Sequence, residues 1–118
     1  MEQLHEEEKS KEPIGVFGRL FTGHATARIL DYFISHRFHS YSADQVAKDL
    51  VLSKEIVSEA IDRLEKREIV RPDKRIENAA DETTYTLFVE SMTTNAIIRA
   101  AFEIANAERV SSEKQNKE

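Results

Sequence analysis

The sequence predicts one mainly helical α+β domain, and three observations carry that prediction. Apolar residues recur at helical spacing through 25–36, 54–67 and 94–109. Ser42 and Ser53 each stand where a helix cap is needed. The run Thr83, Thr84, Tyr85, Thr86, Leu87 and Phe88 has strand composition. At 118 residues, with 40% hydrophobic and 33% charged side chains, the chain can bury one core and cover it with charge.

Taken in order, residues 1–12 carry Glu2, Glu6, Glu7, Glu8 and Glu12 with almost no apolar side chain, so a disordered acidic tail is expected. Residues 110–118 are expected to be a second disordered tail, leaving a folded domain at 13–108 whose last helix spans about 94–109. Ile14, Val16, Phe17, Leu20 and Phe21 form an apolar lead-in, and Gly15, Gly18 and Gly23 among them predict an arm or short helix. Those glycines match neither the dinucleotide fingerprint nor the Lys-Ser/Thr ending of a phosphate loop. From Ala25 to His36, Ile29, Leu30, Phe33 and Ile34 predict an amphipathic helix with one buried stripe. Phe38 and Tyr41 alternate with polar neighbours, as in a very short strand. Ser42 followed by Gln45 is a capping-box pattern that opens a helix through Val46, Ala47 and Leu50. After a turn at Val51 and Leu52, Ser53 caps a helix whose buried face is Val57, Ala60, Ile61 and Leu64. Ile69, Val70 and Arg71 begin an extended segment that Pro72 places at an edge or bulge, and residues 83–88 return as its hairpin partner.

Several function classes are excluded at this stage. With no cysteine there is no disulfide scaffold, thiolate metal site or cysteine nucleophile. No apolar run approaches the roughly 18 residues a membrane span requires, and the acidic start is unlike a signal peptide, so a cytoplasmic protein without membrane contact is expected. His24, His36 and His39 read as surface histidines, with His36 a favourable cation at a helix end, so no metal and no cofactor are expected. No nucleophile, base and orienter can be assembled by spacing, which points away from an enzyme. Tyr32, Tyr41 and Tyr85 suit core packing better than base stacking. A net charge of -5 means that any contact with nucleic acid must come from a local patch.

Residues 25–33 (ATARILDYF), 42–50 (SADQVAKDL), 52–65 (LSKEIVSEAIDRLE) and 84–87 (TYTL) resemble archaeal winged helix-turn-helix transcriptional regulators of the MarR/ArsR-like kind, over about residues 20–108. The resemblance implies a winged helix-turn-helix with a two-stranded wing and a C-terminal dimerisation helix. It also implies a homodimer that binds double-stranded DNA, with the helix from Ser53 in the major groove and the wing on phosphates. Val51 and Glu68 stand where the family has glycines. A β-branched residue at positive φ costs on the order of 1–3 kcal/mol, so the backbone at Val51 is expected to take another route through a longer or wider turn.

The helix face opposite Val57, Ile61 and Leu64 carries Glu55, Glu59, Asp62 and Lys66. Carboxylates there accept from cytosine amino groups but repel phosphates. Residues 63–75 offset them with a local balance of +3. The DNA-binding candidates are Ser53, Lys54, Ser58, Arg63, Arg71, Lys74 and Arg75, with Lys54 and Ser58 nearest the bases and Arg63, Lys74 and Arg75 on phosphates. The bland reading pairs Arg63, Lys66 and Arg67 with Glu59, Asp62 and Glu65 along a solvated helix. Two alternatives stand beside the regulator: a winged-helix adaptor that binds a protein partner without DNA, and a plasmid or viral maintenance factor that coats DNA.

In the last helix the apolar arc is wider than packing on one core requires. Ile97, Ile98, Ala101, Phe102, Ile104 and Ala105 are therefore the candidate interface of a two-fold homodimer, with Phe17, Phe21 or Tyr32 as additions. In the alternative, the N-terminal arm covers the surplus within one chain.

Overall fold

Burial of apolar stripes against one another packs the elements together in the computed structural model, which describes residues 13–73 and 83–116. Helix α1 (Val16–Leu20) leads into α2 (Ala25–Ser35), and β1 (Tyr41–Ser42) precedes α3 (Ala43–Leu50) and α4 (Lys54–Lys66). Strands β2 (Val70–Pro72) and β3 (Thr84–Leu87) follow, and α5 (Met92–Asn116) closes the chain. Residues 1–12 and 74–82 lie outside the described residues, and with them the acidic tail and the wing candidates Lys74 and Arg75.

Ile29 and Phe33 of α2, Val46 and Leu50 of α3, Val57, Ile61 and Leu64 of α4, and Val70 and Leu87 of the sheet make one core. α2 is buried more widely than one stripe: Ala27, Asp31 and Tyr32 join Ile29 and Phe33, while Leu30 and Ile34 are only half-buried. The cause is α1, which packs across α2 on a second side. The first cap residue of α1, Gly15, offers no side chain. The Asp31 carboxylate takes over, accepting from the N–H groups of Phe17 (3.0 Å) and Gly18 (2.6 Å). A Cβ at Gly15 would lie 2.6 Å from Asp31 Cγ, so glycine is what lets the two segments meet. The glycine-rich lead-in does hold an anion, and the anion is the chain's own.

The sheet is antiparallel in the order β1-β3-β2, so the two-stranded wing gains a third, short strand at its base. Tyr41 and Ser42 pair with Tyr85 and Thr84, and Val70, Arg71 and Pro72 pair with Leu87, Thr86 and Tyr85. Pro72 lies on an edge strand, where its missing N–H costs no ladder bond. Phe38 is not part of β1: it stands in the preceding loop at φ 78° and is 74% exposed. Buried Asp73 accepts from the Ser40 hydroxyl, and its N–H donates to the Thr84 carbonyl (2.8 Å), which fastens the base of the wing.

α5 starts two residues before the expected point, because Ser91 Oγ accepts from the Thr94 N–H (3.3 Å) as its cap. It also continues to Asn116, through residues 110–116 that the sequence assigns to a tail. No glycine or proline stops it. Arg109 bridges to Glu113 (2.6 Å) and donates to Asn106 (2.9 Å) across the exposed turns.

Candidate nucleic-acid interface

The candidate interface begins with the two caps that open α3 and α4. Ser42 Oγ accepts from the Gln45 N–H and Ser53 Oγ from the Ile56 N–H, each at 3.2 Å. Between the helices, Val51 adopts φ 56° and ψ 53°, the left-handed geometry that glycine favours. The expected detour is thus absent. The Leu52 N–H donates to the Ala47 carbonyl (2.9 Å) and the Val51 N–H to that of Lys48 (3.4 Å), the paired bonds of a Schellman turn. The same motif ends α4: the Ile69 N–H donates to Leu64 (2.9 Å) and the Glu68 N–H to Glu65 (3.0 Å), with Glu68 at φ 63°. Saturated carbonyls hold both residues where sterics alone would not.

From α2, Arg28 Nη2 donates to the Leu50 carbonyl (3.2 Å) and the Tyr32 hydroxyl to Asp49 (2.6 Å), so the end of α3, just before the turn into α4, is tied to the core helix α2. Asp49 is therefore an acceptor between α2 and α3. Arg28, Asp31, Tyr32 and Thr94 escaped the reading of the sequence as positioning residues. A lone Asp in the otherwise apolar run of α2 was the available signal.

Val57, Ala60, Ile61 and Leu64 are buried, which turns Glu55, Glu59, Asp62 and Lys66 to the middle of the exposed face, with Ser58 and Arg63 on its flanks. Ser53 is engaged as the cap. Lys54 turns toward α3, where it pairs with Asp44 at 3.1 Å. Arg63 pairs with Glu59 (3.7 Å) and Lys66 with Asp62 (3.3 Å), as i,i+4 spacing allows, while Arg67 makes no ion pair among the described residues. Arg71 is held at the wing base, its Nε 3.9 Å from Glu90 and its guanidinium 5.5 Å from the Phe88 ring centre. Beside it, burial pushes the Tyr85 hydroxyl above its usual range, and the negative charges of Glu65 and Asp62 add to the effect.

On α5, Ile97 and Ile98 pack against the core, Ala101, Ile104 and Ala105 are half-buried, and Phe102 is 65% exposed. α1 approaches this helix through an Arg19–Glu108 bridge (2.6 Å), leaving between them an open cavity of about 240 Å³ bordered by Ile98, Ala101, Phe102 and Ala105. The arm therefore covers the apolar surplus only in part.

His36 ends α2 with its ring 4.6 Å from that of Tyr32 and 5.4 Å from that of Tyr41, an aromatic cluster rather than a bare surface group. Among the described residues, no three His, Asp or Glu side chains gather as metal ligands. No helix among them is long and apolar enough to cross a membrane.

No family model and no curated protein matches the chain. Solved structures match it in fold. One is MepR, a transcription regulator of the Staphylococcus aureus multidrug efflux pump MepA, with a TM-score of 0.63 at 15% identity over 83% of this chain and 68% of that one. MepR in complex with DNA matches with a TM-score of 0.58 at 16% identity, over 78% of this chain and 71% of that one. A possible transcriptional regulator from Methanosarcina mazei matches with a TM-score of 0.52 at 19% identity, over 78% and 76% of the two chains. ZitR of Lactococcus lactis matches with a TM-score of 0.58 at 16% identity, over 86% and 72%. The chain has the winged-helix fold of these regulators.

Proposed function

We propose that the protein is a homodimeric, cytoplasmic, non-enzymatic transcriptional regulator that reads double-stranded DNA with α4 and grips phosphates with the wing. The observation that carries this reading is the presentation of α4: its whole outer face is exposed, both its ends are locked by hydrogen bonds, and it stands beside a wing in a fold that MepR uses on DNA. The internal ion pairs do not oppose it. Lys54, Arg63 and Lys66 are each more than half exposed, so each pair is worth about 0–1 kcal/mol and phosphate replaces the carboxylate at little cost. Glu55, Glu59 and Asp62 add specificity by accepting from cytosine amino groups, and affinity then falls to Arg63, Lys66, Arg67 and the wing residues Lys74 and Arg75.

Those carboxylates also favour a second reading, an adaptor that binds a basic protein surface. One variant separates the two. Lys74→Glu with Arg75→Glu should weaken binding to duplexes selected from genomic fragments by at least about tenfold and lower the salt slope by about 2. Unchanged duplex affinity would contradict the DNA reading.

A further inference from the structure

α5 has 25 residues and so is about 37 Å long, yet only its base enters the core. Thr94 is 1% exposed, Ile97 and Ile98 are half-buried, and Phe102 further on is 65% exposed. The deepest residue of the helix is thus a polar one. A buried hydroxyl is tolerated when it is bonded, and Thr94 Oγ1 donates to the Glu68 carbonyl (3.0 Å) and lies 3.3 Å from that of Ile69. These two residues form the Schellman turn that ends α4. The Ile69 carbonyl also accepts from the Phe88 N–H (2.8 Å), at the start of the segment that leads into α5. One hydroxyl therefore joins the base of α5 to the end of the helix that presents the reading face. Ile97 and Ile98 add apolar packing on the core, which is not directional, and the Arg19–Glu108 pair further along is made between side chains 45% and 42% exposed, a type of pair that stabilises little.

We propose that Thr94 is a positioning residue that sets the angle between α4 and α5, and through two copies of α5 the separation of the two reading helices. The leverage is large: a 10° change at the base of a helix this long moves its far end by about 6 Å. The angular role concerns the single chain. Its consequence for half-site spacing rests on the function proposed above.

The absence of native cysteine gives a direct test. Ser58→Cys with Glu103→Cys places one spin label on α4 and one on α5, and dilution with unlabelled protein leaves only the distance within a chain. The native Thr94 background and Thr94→Ser, which keeps the hydroxyl, should give one narrow distance distribution. Thr94→Val should shift it or widen it at least twofold. An unshifted, equally narrow distribution in the valine variant would overturn the proposal, as would a broad one in the serine variant. If Thr94→Val is too unstable to purify, Glu68→Gly with Thr94→Val relieves the left-handed residue and serves in its place, read against Glu68→Gly alone. Unlabelled Thr94→Val is then selected against random duplexes about four helical turns long. A broadened spacing preference supports the operator consequence, and the native spacing despite a widened distance overturns it. If the native chain selects no duplex, the DNA reading falls while the distance result still decides the angular role.

Discussion

α2 and α5 are both rich in apolar residues, but among the described residues one is enclosed and the other is left largely bare. In α2, Ile29 is fully buried and Phe33 and Tyr32 nearly so, covered by the core on one side and α1 on another. In α5 only Thr94 is buried among the described residues beyond the cap. The difference teaches that apolar content alone does not tell a core helix from an interface helix. What separates them is how many neighbours the same chain supplies: among the described residues α2 is covered on two sides, whereas α5 keeps much of its apolar face exposed, the face that the proposed reading gives to a second copy.

The comparison breaks first at α2. Phe33→Ala should cost about 3–5 kcal/mol, a large share of the roughly 5–15 kcal/mol that holds a domain folded, and the urea midpoint should fall steeply. At α5 the same aromatic residue type should behave differently. Phe102→Glu should leave the urea midpoint of the single chain almost unchanged and raise the dimer dissociation constant by at least about 30-fold, with light scattering reporting a monomer mass. A persistent dimer mass would remove α5 from the interface.

Much of this was legible because it is local. The caps Ser42 and Ser53, the buried stripe of α4 and the pairs Arg63–Glu59 and Lys66–Asp62 follow from spacing along one helix. What was not legible crosses between elements. Asp31 caps N–H groups that lie thirteen and fourteen residues before it, Lys54 turns to Asp44 on another helix, and Thr94 reaches back to Glu68. Val51 was misread for a different reason. The steric rule against a β-branched residue at positive φ is a local cost, and the two turn bonds with the Arg28 and Tyr32 anchors outweigh it.

That cost sharpens the comparison further, because it is stored in the enclosed unit. Val51→Gly should relieve about 1–3 kcal/mol of strain against about 0.5–1 kcal/mol of added chain entropy, for a net gain of about 1 kcal/mol and a Tm several degrees higher. Glu68→Gly should gain less, since Glu68 is not β-branched. A lower Tm in both would contradict the strain argument.

The smallest effect lies at the wing. Because burial and the Glu65 and Asp62 charges raise the folded pKa of Tyr85, its neutral form contributes stability that is fully present below the unfolded value near 10 and is lost as pH rises through the folded value. Tyr85→Phe should therefore lose less stability above about pH 10 than the native chain.

The most direct test of the central claim is fluorescence anisotropy of the purified protein with pooled duplex fragments of its source genome, from low to physiological salt. The account predicts binding that selects some fragments and weakens with salt, with a slope that counts the phosphates gripped by α4 and the wing. No binding even at low salt would contradict it and leave the carboxylates of α4 as a surface for another protein.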